Sequence, residues 1–209
     1  MKKIFLLFNL SCLLLPSCIS TGVNTNVSAS YDVCLNAVES PADAKKNYGE
    51  TKIVLSEDED ISKYRYEDDY ISITWFVLRS QFEFKLENKS NHSIKINWDD
   101  VSYVDINGKV GRVMHAGIKY SEKNNSQPPI TIPKGASIED ILVPTDNVEY
   151  ESYIGWYTKP LINATFSSIE EKKVLGVKNI GKEMRILFPL VIENVQNDYV
   201  YTFKVEQMR

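Results

Sequence analysis

The residue with the clearest candidate chemistry in this sequence is Cys18, a thiol that directly follows the small residue Ser17. Two lysines near the start are followed by an apolar run over residues 4–15. A run of about twelve residues is too short to span a bilayer, which needs about twenty. The short run behind a basic start is typical of a secretory signal peptide. We therefore predict a signal peptide over residues 1–17, with the cut between Ser17 and Cys18.

The residues before the cut, Leu15-Pro16-Ser17-Cys18, resemble the lipobox of bacterial lipoproteins. In a lipobox an aliphatic residue lies three positions before the cysteine and a small residue lies one before, as Leu15 and Ser17 do here. Pro16 departs from the usual small or aliphatic residue. The resemblance implies that Cys18 carries acyl chains on its sulfur and on its new N terminus. Two or three chains anchor a protein firmly, whereas a single chain binds marginally.

The residue after the cysteine is Ile19, and an Asp at this position would have suggested retention in the inner membrane. By the same resemblance, the expected location is the cell envelope, on the outer membrane. The alternative is an ordinary secretory signal peptide with a chance cysteine.

Beyond the signal peptide, the composition fits a soluble globular domain of one core. The chain of 209 residues is 43% hydrophobic and 25% charged, with a formal net charge of −4. Removal of two lysines with the signal peptide makes this charge more negative, which argues against nucleic acid as a partner. Cys34 would be the one thiol left after cleavage and acylation, so no internal disulfide framework is expected. It could be a reactive thiol or a small buried apolar residue.

The domain organisation predicted from composition has three parts. Residues 1–17 form the signal peptide, residues 18–50 form a lipid-anchored tether and a lead-in of uncertain structure, and residues 51–209 form the folded domain. The tether prediction rests on the Ser, Thr, Asn and Gly content of residues 19–30.

Alternation of apolar and polar residues predicts an all-β domain. Three strands stand out by this pattern: residues 70–78, residues 82–87 and residues 199–205. The Asn107-Gly108 pair between two apolar runs predicts a hairpin. Residues 193–198 are predicted to link the last two strands, and residues 166–180 could be a strand pair or a short helix. Short strands separated by turns favour an Ig-like antiparallel β-sandwich, in architecture only, since the Cys…Trp…Cys pattern of antibody domains is absent.

The turn chemistry between Phe82 and Pro144 resembles that of small β-sandwich domains in uncharacterised bacterial lipoproteins. It includes an Asn-Lys-Ser turn, an Asp-rich hairpin and an Ile-Pro-Lys-Gly turn. The resemblance implies no site that could be transferred to this chain.

No catalytic residue, metal ligand or cofactor is predicted, because the motifs of such sites are absent from the sequence. His92 and His115 are too few and too isolated to indicate a zinc site. The acidic groups at residues 57–60, residues 67–69 and residues 99–100 could bind calcium from separate loops, or could be solvated charge that protects strand edges.

The candidate binding residues are four aromatic side chains in a loop-like region: Tyr150, Tyr153, Trp156 and Tyr157. Exposed aromatic rings can stack on sugars or anchor a protein partner. Alternatively, these rings cover the open end of the sandwich.

The function expected from the sequence is that of a lipid-anchored envelope protein with a role in binding or assembly. Its expected partners are the membrane, through the anchor, and an envelope protein or a glycan. The alternatives are an accessory subunit of an envelope complex and a hydrolase that acts on glycans, which would need two carboxylates facing each other across a cleft.

Overall fold

The computed structural model describes residues 26–39, 52–58 and 61–209, with the backbone alone described for residues 52–58, 61 and 62. The signal peptide, Cys18, most of the tether and the acidic residues Glu59 and Asp60 lie outside the described residues. Strands make up most of the regular structure of the described chain, and the predicted all-β sandwich is confirmed.

The strands follow one another with short connections. They are β1 (Val27–Ser28), β2 (Tyr31–Glu39), β3 (Lys52–Asp58), β4 (Ile61–Glu67), β5 (Ile71–Val77), β6 (Phe82–Asn88), β7 (Ile94–Ile96), β8 (Ser102–Val104), β9 (Val110–Met114), β10 (Ile130–Ile132), β11 (Ser137–Pro144), β12 (Val148–Glu151), β13 (Gly155–Thr158), β14 (Thr165–Phe166), β15 (Glu183–Ile192) and β16 (Val195–Met208).

The helical pieces are short. A turn of α-helix, α1 (Ile169–Glu171), continues into a π-helical turn (Lys172–Gly176) and a 3₁₀ turn (Val177–Asn179). Other 3₁₀ turns are Trp98–Asp100, Tyr120–Glu122 and Thr145–Asn147. Residues 166–180, for which the sequence left two alternatives, therefore end a two-residue strand and then form helical turns. Among the described residues, no helix combines the length and apolar character needed to cross a bilayer.

Two antiparallel layers make up the sandwich. One layer contains β2, β16 and β15, and β15 pairs along its other edge with β7 and β8. The second layer runs β3-β4-β5-β6-β11. Strand β9 pairs with both β8 and β11 and so connects the layers on one side. On the other side, the Tyr64 hydroxyl donates a 2.7 Å hydrogen bond to the Val33 carbonyl, so the sandwich is nearly closed.

The core lies between the layers and is strongly aromatic. Ile71, Ile73 and Trp75 of β5 are fully buried, as the two-residue alternation predicts. Every second residue of β16 from Tyr199 to Val205 is also fully buried. Leu161 and Ile162, which follow Pro160, are buried in the same core cluster.

Three features differ from what the sequence indicated. Strand β4 had not been predicted, although Tyr64 and Tyr66 alternate there with charged residues. Strand β2 pairs along β16, so the sheet includes part of the region before residue 51. The prediction that residues 193–198 link the last strands is wrong, because β16 begins at Val195.

The two hairpin turns show why turn length is hard to read from sequence. Glu193 and Asn194 form a two-residue turn with φ of 51° and 64°. Turns with these angles usually contain a glycine, and this turn has none. In the Asn107-Gly108 hairpin Gly108 alone takes positive φ. There the Asp105 carboxylate accepts hydrogen bonds from the backbone N–H of Asn107 and Lys109, which holds a longer turn than the pair predicts.

Candidate binding surface

The four candidate aromatic residues lie on one hairpin, formed by β12 and β13. Its register places Tyr150 opposite Trp156 and Glu149 opposite Tyr157. The turn is closed at Gly155, which has a φ of 85°. The two-residue period therefore puts Tyr150 and Trp156 on one face, and Tyr157 on the other face with Glu149 and Glu151.

The base of the hairpin is fixed to the sandwich. Val148 is fully buried and packs in a small cluster with Met114 and Val143. The Lys123 ammonium donates to the carbonyls of Thr145, at 2.8 Å, and of Val148. A firmly held base presents the outer half of the hairpin at a defined position.

The outer half of the hairpin exposes several large apolar side chains. Tyr150 is 60% exposed, Trp156 is 43% exposed, and Tyr153 and Ile154 at the turn are 103% and 69% exposed. The rings of Tyr150 and Trp156 lie 5.4 Å apart, and Trp156 also contacts the Tyr120 ring at 6.4 Å. Tyr150, Tyr153 and Trp156 are therefore largely open to solvent.

The opposite face of the hairpin is polar. The Tyr157 hydroxyl lies 2.7 Å from Glu151 and 2.9 Å from Glu149, and the Lys159 ammonium donates to Glu149. These hydrogen bonds, from Lys159 first and then Tyr157, lower the pKa of Glu149. The pKa of Tyr157 is raised, mainly by its hydrogen bond to Glu151. The hairpin is thus amphipathic, with one aromatic face and one acidic face.

Sequence reasoning found the four aromatic residues but not their arrangement. Ile154 and Tyr120 complete the apolar surface and had not been singled out. Tyr120 lies in a separate 3₁₀ turn, and nothing in its local sequence indicates a contact with Trp156. We call the surface formed by Tyr120, Tyr150, Tyr153, Ile154 and Trp156 the aromatic hairpin surface.

The two histidines lie apart, each beside a carboxylate. His92 is half-exposed and contacts Glu193 at the tip of the β15–β16 hairpin. The His115 ring stacks on Trp98 at 4.3 Å, and its Nδ1 lies 3.2 Å from Asp140. Among the described residues, no cluster of three or more His, Cys, Asp or Glu side chains could hold a metal ion.

Two residues of the predicted acidic groups, Asp68 and Asp99, have structural partners. Asp68 is buried, and its carboxylate accepts hydrogen bonds from the hydroxyls of Tyr66 and Tyr199. Asp99 accepts from Ser126 and from Arg112, and these bonds, with Ser126 as the main cause, lower its pKa.

Cys34 lies on β2 and is only partly buried. Its Sγ donates a 3.0 Å hydrogen bond to Glu206 on β16. Partial burial first, and then this hydrogen bond, raise the pKa of the thiol to about 11. The thiol is therefore protonated at neutral pH, which makes it a poor nucleophile.

A small cavity lies at the end of the sandwich near β2. Its volume is about 240 Å³, and its lining includes Tyr31, Leu78, Leu161 and the exposed Arg79. Most ligand pockets have volumes of about 300–1,000 Å³. This cavity is therefore a weaker candidate for binding than the aromatic hairpin surface.

The chain was also compared with known proteins. No family model matches it, and no curated protein matches it. Three solved chains match, among them the X-ray structure of the Northeast Structural Genomics Consortium target SoR45. That chain is 14% identical, with 82% of this chain and 86% of the other covered, at a TM-score of 0.27. A likeness at that score carries no argument about fold or function.

Proposed function

We propose that this chain is a lipid-anchored protein of the bacterial cell envelope, on the outer membrane, that binds a partner protein through the aromatic hairpin surface. The observation that carries the binding role is the exposure of Tyr150, Tyr153, Ile154 and Trp156 on a hairpin with a fixed base. Aromatic residues dominate the binding energy of protein interfaces, and soluble proteins rarely expose several of them together.

The shape of the surface favours a protein over a glycan. Two coplanar rings would give a sugar one flat stacking platform, whereas the planes of Tyr150 and Trp156 are inclined at 59°. The exposed Ile154 adds an aliphatic contact that has no role in sugar stacking. The hairpin suits a partner groove that is apolar inside, where it would contact the aromatic face, and basic at its rim, where it would pair with the acidic face.

The anchor in this proposal rests on Leu15, Ser17 and Cys18. Its test is intact-mass analysis and detergent partitioning of the protein made in a bacterial host, beside Cys18→Ser. Acyl mass on Cys18, with the wild type in the detergent phase and the variant in the aqueous phase, supports the anchor. A soluble wild type cut elsewhere overturns it.

The binding role is tested by photo-crosslinking in intact cells, with the crosslinking amino acid placed at Tyr153. The same group at Val195, an exposed position on the β15–β16 hairpin, is the control. We expect one adduct from position 153, none from position 195, and loss of the adduct when Trp156→Ala is added. An adduct that persists in Trp156→Ala contradicts a role for the aromatic face, and glycan-dependent retention on peptidoglycan would favour the glycan alternative.

The hydrolase alternative requires two carboxylates across a cleft. Glu149 and Glu151 are close together, but they lie on an exposed hairpin and share the Tyr157 hydroxyl. This pair does not form such a cleft, and we do not extend the proposal to catalysis.

A further inference from the structure

A second exposed apolar surface lies on the helical turns near the C-terminal end of the chain, over residues 169–180. Its side chains are between 40% and 59% exposed: Ile169, Val174, Leu175, Val177 and Ile180. An exposed aliphatic patch of this kind marks a contact with a protein or a membrane. We call it the 169–180 segment.

The inner side of the segment is held against the sandwich. Gly176 is buried so closely that an added Cβ would lie 2.5 Å from the sulfur of Met208. The Tyr31 hydroxyl donates a 3.2 Å hydrogen bond to the Gly176 carbonyl, and the Asn179 amide donates to the Tyr31 hydroxyl at 3.2 Å. These contacts fix the segment so that its aliphatic side chains point outward.

The segment lies where the chain from Cys18 enters the fold. Strand β1 pairs Val27 with Phe166, just before the segment. The Lys172 ammonium donates to the Ser28 carbonyl at 2.9 Å. Eight residues separate Cys18 from Val27, and a fully extended chain of that length reaches at most about 30 Å. An anchor on Cys18 would therefore keep this part of the domain close to the bilayer.

The segment has a small excess of positive charge. It contains three lysines, at positions 172, 173 and 178, and two glutamates, at positions 170 and 171. Lysines beside exposed aliphatic residues suit the anionic headgroups and acyl boundary of a bilayer. Their long stems can lie along apolar surface while the ammonium groups stay in water.

We propose that the 169–180 segment rests on the membrane, with its aliphatic side chains at the boundary between headgroups and acyl chains. This inference builds on the proposed anchor at Cys18 and adds an orientation to it. The segment partitions weakly but measurably by itself, and the tether strengthens the contact by holding the segment at high local concentration near the surface. The long strand β16 runs from Met208, which packs under the segment, to Val195. Its 14 residues span on the order of 40 Å, so the β15–β16 turn lies far from the membrane.

The first test uses the acylated full chain in vesicles of phosphatidylethanolamine and phosphatidylglycerol, with Cys34→Ser to remove the other thiol. A fluorescent label is attached at Val174→Cys or, as a matched control, at Val195→Cys. The two valines are 59% and 58% exposed. We expect a lipid-borne quencher to act at least about threefold more strongly at position 174 than at position 195. Equal quenching at the two positions overturns the inference. Shielding of the label at position 174 from both lipid-borne and aqueous quenchers also overturns it, because a protein surface would then cover the segment.

The second test separates this inference from the anchor. In unacylated Cys18→Ser protein, the combined changes Val174→Ser, Leu175→Ser and Val177→Ser should lower partitioning to the same vesicles at least about tenfold. The control combines Val110→Ser with Val195→Ser, both at exposed valines elsewhere. Equal partitioning of the two variants overturns the membrane contact, whatever the state of Cys18. Failure to find acyl mass on Cys18 overturns the anchor and leaves this comparison valid.

Discussion

At the scale of single residues, Asp68 is a buried side chain on which four hydrogen bonds converge. Its Oδ2 accepts from the Tyr66 and Tyr199 hydroxyls at 3.0 and 2.9 Å, and its Oδ1 accepts from the backbone N–H groups of Tyr70 and Ile71 at 2.8 Å. One carboxylate thus closes the β4–β5 turn and ties it to β16 across the sandwich. Burial first, and then the Asp68 charge, raise the pKa of Tyr199, so its hydroxyl keeps the proton that it donates.

Replacement of this carboxylate should be costly. We expect Asp68→Ala to lower the free energy of unfolding by about 3–5 kcal/mol, because two tyrosine hydroxyls and two backbone N–H groups lose a common acceptor. Urea unfolding measures the change. The neighbouring Asp69, which is exposed, provides the control, and Asp69→Ala should cost within about 0.5 kcal/mol. A loss below about 1 kcal/mol in Asp68→Ala would mean that water replaces the carboxylate in the turn.

At the scale of elements, periodicity identified the strands whose two faces differ in polarity. Strands β5, β6 and β16 alternate clearly between core and solvent, and the sequence predicted all three. Strand β4 was missed because its charged residues Lys63, Arg65 and Glu67 lie between the acidic groups at residues 57–60 and 67–69, so the segment resembled a polar loop. Strand β2 remained ambiguous because its partner, β16, lies at the other end of the chain, and local pattern carries no information on such a pairing.

The β15–β16 turn offers a test of backbone strain at this scale. Glu193 has a φ of 51°, a left-handed conformation that costs a residue with a side chain roughly 1 kcal/mol relative to glycine. Both Glu193→Gly and Glu193→Ala remove the exposed contact with His92. We therefore expect the glycine variant to be more stable than the alanine variant by about 1 kcal/mol, measured by urea unfolding. Equal stabilities would show that the turn changes conformation in the variants.

At the scale of the whole molecule, sequence reasoning predicted the sandwich but not the surfaces that it displays. Composition and alternation were sufficient for the fold, since a large apolar fraction arranged with a period of two has to be buried between sheets. The aromatic residues at 150–157 were predicted as binding residues from their side-chain type. Their division between two faces became visible only with the β12–β13 register in the structure. The 169–180 segment was not recognised as a surface, because its proximity to Val27 arises from the β1–β14 pairing.

Trp75 joins the two layers and gives the last prediction. It is fully buried, and its ring lies 5.3 Å from Phe84 in its own layer and 5.0 to 5.9 Å from Tyr201, Phe203 and Phe188 in the opposite layer. Its indole nitrogen has no hydrogen-bond partner among the described residues. Trp75→Ala leaves a large cavity between the layers and should cost about 3–5 kcal/mol of unfolding free energy. Trp75→Phe retains much of the packing and removes the unsatisfied N–H group, so its cost should be about 1–2 kcal/mol.

The matched control is the exposed Trp156, where Trp156→Ala should cost no more than about 1 kcal/mol, because its ring is 43% exposed and packs against the surface rings of Tyr120 and Tyr150. Denaturant unfolding of the three variants beside the wild type measures these differences. The order Trp75→Ala, Trp75→Phe, Trp156→Ala, from most to least destabilised, follows from a core shared by both layers. If Trp75→Ala were as stable as Trp156→Ala, contacts other than the aromatic cluster would hold the layers together. The pairing of β9 with β8 and β11 would then be the main source of the stability of the sandwich.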